Sequence, residues 1–205
     1  ERIYGNEFAG GLIANIGSSG DVTINKCSTY LVKNEDIPTS ISSKSNLESV
    51  RWIYAKTVGG LVGYNEGVLN IESSFVATTV GLGTEDKNSG ETLGVTGGLV
   101  GKVGSSSLTN INKSYADCYL YGKKVGGLIG GNEQIYENNQ FILGSINIKN
   151  SYSAGFIATD KKASSYSAGL VSGYVNSIKN SYTVISKGTL DYTRSAIIGY
   201  PGITT

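Results

Sequence analysis

The chain has 205 residues and a formal net charge of +1, with 17 Lys and Arg residues against 16 Asp and Glu residues. A balance this close to zero gives no electrostatic reason to bind nucleic acid or an acidic membrane surface. Histidine is absent, which excludes Ser-His-Asp and Cys-His triads and the histidine zinc sites of most metalloenzymes. No apolar run approaches the roughly 18 residues of a membrane span.

The remaining composition is typical of strands joined by turns. Glycine occurs 29 times and tyrosine 14 times, whereas proline occurs only twice. Together with frequent Asn, Ser, Thr and β-branched residues, this predicts an all-β chain. Because the sequence begins with Glu and without a signal peptide, we expect it to be a piece of a longer protein.

A glycine-rich hexamer recurs along the chain. Adjacent glycines cost backbone entropy in a helix or strand, so their repetition predicts a sharp corner where no Cβ fits, followed by an apolar pair that enters the core. The copies are residues 9–14 (AGGLIA), 58–63 (VGGLVG), 96–101 (TGGLVG), 125–130 (VGGLIG), 167–172 (SAGLVS) and 195–200 (SAIIGY). Aligned on the leucine, they place in one predicted column Leu12, Leu61, Leu99, Leu128, Leu170 and, in the degenerate last copy, Ile197.

A second motif follows five of the six hexamers. Its copies are residues 24–28 (INKCS), 71–75 (IESSF), 111–115 (INKSY), 148–152 (IKNSY) and 178–182 (IKNSY). The isoleucine predicts a buried column, and the position three residues later is always small, as a tight bend requires. The fifth position carries Ser28, Phe75, Tyr115, Tyr152 and Tyr182, which predicts an aromatic ladder.

Two motifs in fixed order with variable spacing describe a repeated unit whose turns accept insertions. The shortest units, about 27 to 29 residues, match one coil of a β-solenoid. Helical repeats are disfavoured because they need Ala, Leu, Glu and Lys at 3.6-residue spacing. We therefore predict one parallel β-helix over residues 1–205, with five to six coils and right-handed winding. Its predicted insertions are about 33–56, 83–95, 131–145 and 158–167.

Insertions on a rigid scaffold are where binding usually occurs. The longest insertion contains Arg51, Trp52 and Tyr54, which either cap the apolar end of a coil or form a recognition surface. The ladder residues Tyr115, Tyr152 and Tyr182 are a second candidate surface. For them, ligand stacking competes with the simpler interpretation that the rings support the coil.

The remaining reactive residues do not predict catalysis. Cys27 and Cys118 fall two coils apart, too far for the roughly 7 Å Cα separation that a disulfide allows, so we predict separate thiols. The adjacent acids Glu35 with Asp36 and Glu85 with Asp86 fall within insertions instead of stacked strand positions. We expect no enzymatic activity, no cofactor and no metal.

The Gly-Gly-Leu-Val-Gly segments at 59–63 and 97–101, with Asn-Ser-Tyr at 150–152 and 180–182, resemble the GLUG repeat of large bacterial secreted and surface proteins. Such repeats occur in filamentous haemagglutinin-like adhesins and in the region before the catalytic domain of Gram-positive zinc metallopeptidases that cleave immunoglobulin A. The first, fifth and sixth copies depart from the pattern, as expected of terminal coils.

The resemblance implies a secreted or cell-surface location and a non-catalytic recognition module for a host glycoprotein or glycan. It also implies an alternative, an accessory domain that positions immunoglobulin for a zinc site elsewhere in the parent chain. A purely structural stalk is the third possibility. Neighbouring domains of the parent chain are the other expected partners.

Overall fold

The computed structural model describes residues 3–30, 52–81, 94–159, 166–187, 193–195 and 197–198. Within these ranges every regular element is a β-strand, and the predicted all-β class is confirmed. Among these residues, no helix is long and apolar enough to span a membrane. Most of the predicted insertions 33–56, 83–95 and 158–167 lie outside the described residues, together with the acidic pairs at 35–36 and 85–86.

Four sheets contain parallel strands only. Sheet B contains β2 (Phe8–Gly10), β7 (Thr57–Gly59), β12 (Val95–Gly97), β16 (Lys124–Gly126), β22 (Tyr166–Ala168) and β25 (Thr193–Ser195). Sheet C contains β3 (Ile13–Ile16), β8 (Val62–Asn65), β13 (Val100–Val103) and β17 (Ile129–Asn132). Sheet D contains β4 (Asp21–Asn25), β9 (Val68–Glu72), β14 (Leu108–Asn112), β20 (Ser145–Lys149) and β23 (Ser177–Lys179).

Sheet A completes each repeat; the repeats are numbered one to six in chain order by their glycine-rich hexamers. It contains β1 (Ile3–Tyr4), β5 (Ser28–Tyr30), β6 (Trp52–Tyr54), β10 (Phe75–Ala77), β11 (Thr79–Val80), β15 (Tyr115–Gly122), β21 (Tyr152–Thr159) and β24 (Tyr182–Lys187). The short strands β10 and β11 both pair with the long strand β15. An antiparallel hairpin of β18 (Gln134–Glu137) and β19 (Gln140–Leu143) stands between β17 and β20.

Successive repeats stack on one another. In repeats two to four the chain passes through sheets B, C, D and A in that order and then returns to sheet B one strand further along. Each strand therefore pairs in parallel with its equivalents in the neighbouring repeats, as β14 does with β9 and β20. The parallel, open sheets are compatible with a β-helix or solenoid.

The two predicted apolar columns form. Backbone N–H groups of Leu61, Leu99 and Leu128 donate to the carbonyl of the leucine in the next repeat at 2.8–2.9 Å, and these leucines are fully buried. The isoleucine column is in register from Ile24 through Ile178. The first leucine differs from the prediction. Leu12 is 46% exposed although it stacks on Leu61, because it lies in the first repeat and is covered on one side only.

Each glycine of the hexamer meets a different obstacle, as repeat three shows. A Cβ on Gly97 would strike the carbonyl oxygen of Val100, which closes the turn between sheets B and C. A Cβ on Gly98 would lie 2.5 Å from the Cβ of Ala116, which belongs to sheet A on the other side of the core. A Cβ on Gly101 would lie 2.7 Å from the backbone of Val58 in sheet B. Lack of space, as predicted, and not a positive φ, explains the motif.

A column of small polar residues builds the corner between sheets D and A. Ser74, Ser114 and Ser151 each donate the hydroxyl proton to the carbonyl two residues earlier at 2.7–2.8 Å. Each hydroxyl oxygen also accepts the backbone N–H of the equivalent residue in the preceding repeat at 3.1–3.2 Å. Cys27 replaces serine at the start of this column, as predicted, and its N–H donates to Ser74.

The residue before each serine has a left-handed backbone. Lys26, Ser73, Lys113, Asn150 and Asn180 all have φ between 48° and 54°. Asparagine tolerates this region well, whereas lysine and serine adopt it at a cost. The hydrogen bonds of the serine column hold the strained positions in place.

Ser114→Ala is expected to lower the free energy of unfolding by about 1–3 kcal/mol, because it leaves the buried N–H of Ser74 without an acceptor. Ser114→Cys is the matched control and should cost less, since Cys27 occupies the same place in repeat one. Urea denaturation of both variants measures the difference. An alanine variant as stable as the wild type would show that the column adds nothing to stability.

Candidate functional site

The predicted aromatic ladder lies at the start of the strands in sheet A. Neighbouring rings are stacked with nearly parallel planes: Phe75 and Tyr115 have centroids 5.0 Å apart, Tyr115 and Tyr152 4.8 Å apart, and Tyr152 and Tyr182 5.1 Å apart. Ser28 occupies the register position in repeat one, and the ring of Tyr30 reaches Phe75 from two residues further along at 6.2 Å.

Stacking determines what the ladder offers to a ligand. Both faces of Tyr115 and Tyr152 are covered by neighbouring rings, so these residues present only edges and hydroxyl groups. Tyr182 is 55% exposed at the end of the column. Burial raises the pKa of Tyr152, and the neighbouring tyrosines and Asp117 add to the effect. Tyr152 therefore stays neutral at physiological pH. The stacked inner rings support the coil in the manner of other cross-strand aromatic pairs.

The predicted cluster of Arg51, Trp52 and Tyr54 is only partly described. Arg51 lies outside the described residues. Strand β6 places the backbone of Trp52 and Tyr54 in sheet A, between β1 and β11. These two residues therefore belong to the repeated sheet at their backbone, within the range 33–56 predicted as an insertion.

The described insertion, 131–145, contains a surface that neither repeat motif predicts. Strands β18 and β19 pair Ile135 with Ile142 and Tyr136 with Phe141. The turn residues Asn138 and Asn139 have φ of 51° and 61°, the signature of a two-residue type I′ hairpin. Because side chains alternate along a strand, the isoleucine pair and the aromatic pair lie on opposite faces of the hairpin.

Both faces are open to solvent. Tyr136 and Phe141 are 60% and 61% exposed, and Ile135 and Ile142 are 36% and 37% exposed. The Tyr136 and Phe141 rings are in contact in a tilted arrangement, with centroids 4.8 Å apart and planes inclined by 55°. In the described parts of the chain, the other exposed large apolar side chains lie in repeat one and in repeats five and six. The hairpin is thus an apolar surface in the middle of the stack.

The base of the hairpin is firmly attached to sheet C. Glu133, directly before β18, accepts hydrogen bonds from Tyr64 Oη at 3.0 Å and from Lys102 Nζ at 2.9 Å. The Lys102 ammonium also lies 5.2 Å from the centre of the Tyr64 ring. The Asn132 side chain accepts the backbone N–H of Tyr174 at 3.0 Å and donates to its carbonyl at 3.3 Å. These contacts hold the hairpin in one orientation relative to the sheets.

Neighbouring groups determine the protonation states of Glu133 and Tyr64 at the base of the hairpin. The hydrogen bond from Lys102 lowers the pKa of Glu133 and outweighs the opposing effect of burial. Burial raises the pKa of Tyr64, and the hydrogen bond to Glu133 raises it further. At neutral pH the Glu133 carboxylate therefore accepts hydrogen bonds from the Lys102 ammonium and the neutral Tyr64 phenol. These bonds attach the hairpin to sheet C and have a structural role.

The two thiols are separate and free, as predicted. Cys118 is fully buried, and burial raises its pKa to about 12, so the thiol stays protonated and unreactive. Cys27 is half-buried at the bend of repeat one. The described ranges contain no group of three or more Cys, Asp and Glu residues that could hold a metal ion.

The sequence did contain a signal for the hairpin. Residues 134–143 read QIYENNQFIL, two short apolar segments around an Asn-Asn turn, which is a recognised hairpin pattern. The repeat motifs identify only positions that recur, whereas the described residues contain this hairpin in one repeat. Its exposure was not readable from the pattern, because the same residues would be buried if a neighbouring element covered them.

Comparisons of the chain with known protein families, with curated proteins and with solved structures find no match in any of the three.

Proposed function

We propose that the chain is a right-handed parallel β-solenoid of five to six coils, and that it belongs to a GLUG-type repeat region of a bacterial surface or secreted protein. The in-register stacking of both motifs through the repeats supports the coil. The right hand rests on the strong preference of parallel strand crossovers for that hand. The motif residues support the family resemblance.

The proposed function of this region is non-catalytic recognition of a host glycoprotein or glycan. The observation that carries it is the hairpin of residues 134–143, with four large apolar side chains exposed on a rigidly attached support. A two-stranded hairpin is at best marginally stable alone, and aromatic residues are the usual anchors of binding surfaces. An exposed aromatic pair also offers ring surface against which the apolar face of a sugar packs.

A binding screen of the chain against host glycans, mucin, matrix proteins and immunoglobulin A tests the proposal. The double variant Tyr136→Ser/Phe141→Ser is expected to weaken binding to the best ligand by at least about tenfold, as loss of a hot-spot pair does. The matched control is Tyr4→Ser/Tyr30→Ser, which removes two comparably exposed aromatics, 66% and 60%, from the first repeat.

The outcomes separate the candidate functions. Binding that is lost in the hairpin variant and kept in the control supports the hairpin as the contact. Binding that is equal in both variants overturns the assignment to the hairpin but leaves recognition elsewhere on the coil. Binding to immunoglobulin A alone supports the accessory domain of a peptidase. No binding at high micromolar concentration of any ligand supports a stalk.

A further inference from the structure

The corner between sheets D and A carries a row of exposed lysines. Lys113, Lys149 and Lys179 come from repeats three, four and five, and all three are exposed to solvent. Asn112, Asn150 and Asn180 stand beside them, and Tyr115, Tyr152 and Tyr182 follow within three residues along the chain. We call these nine residues the lysine corner. Lys149 lies opposite Lys179 on one side and opposite Asn112 on the other, and Lys113 directly follows Asn112. Because neighbouring strands are about 4.8 Å apart, the three charges lie close together along the stack.

Two of these lysines are direct cross-strand partners. Lys149 of β20 is paired in register with Lys179 of β23, and like charges placed opposite one another are destabilising. Neither ammonium has an ion pair with any residue in the described part of the chain. Lys113 Nζ lies 3.5 Å from a carboxylate oxygen of Glu72, and the Lys113 side chain is 64% exposed, so the ion pair is weak. The exposed Asp117 places a further carboxylate near the corner, close enough to Tyr152 to raise its pKa.

The amides of the corner form a hydrogen-bonded column. Asn150 Nδ2 donates to Asn112 Oδ1 at 3.1 Å, and Asn180 Nδ2 donates to Asn150 Oδ1 at 3.2 Å. An amide nitrogen has two protons and an amide oxygen accepts two hydrogen bonds. Each bond along the column uses one of them, so the exposed Asn150 and Asn180 keep further capacity directed to solvent. The corner therefore combines positive charge, amide donors and acceptors, and phenol edges.

We propose that the lysine corner binds an acidic polysaccharide, whose sulfate or carboxylate groups contact Lys113, Lys149 and Lys179 while its hydroxyl groups contact the amides. An anionic chain lying along the stack would relieve the repulsion between Lys149 and Lys179 and match the linear arrangement of charge. Single-stranded nucleic acid fits less well, because it is held by bases stacked on free aromatic faces, and the faces of the inner rings here are covered.

This site is distinct from the hairpin. The five-residue strand β20 separates Gly144, next to the hairpin, from Lys149 at the corner, a distance of about 16 Å. The lysine corner therefore remains open when the hairpin is occupied, and each surface can be tested without the other.

The test measures binding of heparin, hyaluronan and neutral dextran to the wild type and to Lys149→Gln/Lys179→Gln. The charge-matched control is Lys123→Gln/Lys124→Gln, at the far end of strand β15 from the corner. Heparin affinity is expected to fall at least about fivefold in the corner variant and to change little in the control. Wild-type affinity should also fall as salt is raised from 0.05 to 0.5 M, since exposed charges are screened.

Thermal melts establish that both variants are folded, and the corner variant is expected to be no less stable because a like-charge contact is removed. Equal weakening in both double variants would overturn the proposal, since net charge alone would then explain binding. Binding of dextran as tight as that of heparin, or of a single-stranded oligonucleotide as tight as that of heparin, would also overturn it. Hairpin variants that still bind heparin normally would separate this site from the proposed recognition function.

Discussion

Gly98→Ala is expected to remove most of the stability of the protein, more than about 4 kcal/mol, because no small adjustment makes room for one methyl group. The new Cβ would strike the carbonyl oxygen of Gly127 in the next repeat and lie 2.5 Å from the Cβ of Ala116 in sheet A. Backbone and a side chain on a rigid strand would both have to move. Circular dichroism and thermal unfolding measure the result.

Gly17→Ala is the matched control. A Cβ at Gly17 meets no atom within 4 Å, and Gly17 is not among the glycines with positive φ. Alanine at position 17 is expected to change the melting temperature by a few degrees at most. The change should be a slight increase, because alanine lowers the conformational entropy of the unfolded chain. Equal melting temperatures for Gly98→Ala and Gly17→Ala would show that the repeats do not approach one another closely at the hexamer.

Asn65→Val is expected to lower the free energy of unfolding by about 3–5 kcal/mol, since a buried polar network loses its central member. Asn65 is fully buried, and its oxygen accepts the backbone N–H of Gly67 at 3.0 Å. Its nitrogen donates to Leu108 O at 3.1 Å and to Thr109 Oγ1 at 2.9 Å. Valine fills similar space but leaves a buried N–H and a buried carbonyl without these partners.

The control for this substitution is Asn15→Val in the same sheet. Asn15 is exposed on β3, and valine suits a strand, so stability should stay within about 0.5 kcal/mol of the wild type. Chemical denaturation gives both values on one scale. If Asn65→Val and Asn15→Val lower the free energy of unfolding equally, the hydrogen bonds of Asn65 do not stabilise the fold.

The proposed sites differ in how far the sequence could reveal them. The ladder positions Tyr115, Tyr152 and Tyr182 recur with the motif, so their alignment could be predicted. Their limited use to a ligand could not, because it depends on the 4.8–5.1 Å ring separations that cover the inner faces. The hairpin occurs in one repeat only within the described ranges, so no recurring pattern could reveal it. The lysines stand at variable positions of the second motif. The identical copies at 148–152 and 178–182 align Lys149 with Lys179, and the register of β20 with β23 makes them direct neighbours.

The amino-acid sequence by itself determined the β class, the repeated unit and its register. Identical residues recur because equivalent positions of stacked parallel strands share one environment. Leucine, isoleucine and the aromatic residues therefore identified their own columns, and the paired glycines marked the corner.

Only the tertiary structure decided how the ends and corners of each repeat work. Leu12 belongs to the leucine column but is exposed, because its burial depends on whether another repeat covers it. The three glycines of the hexamer in repeat three avoid three different neighbours, two of which are far away in sequence. The serine column likewise depends on N–H groups of the preceding repeat. Local composition records which residue a position accepts, whereas the contacts that impose the choice come from chain segments brought together by folding.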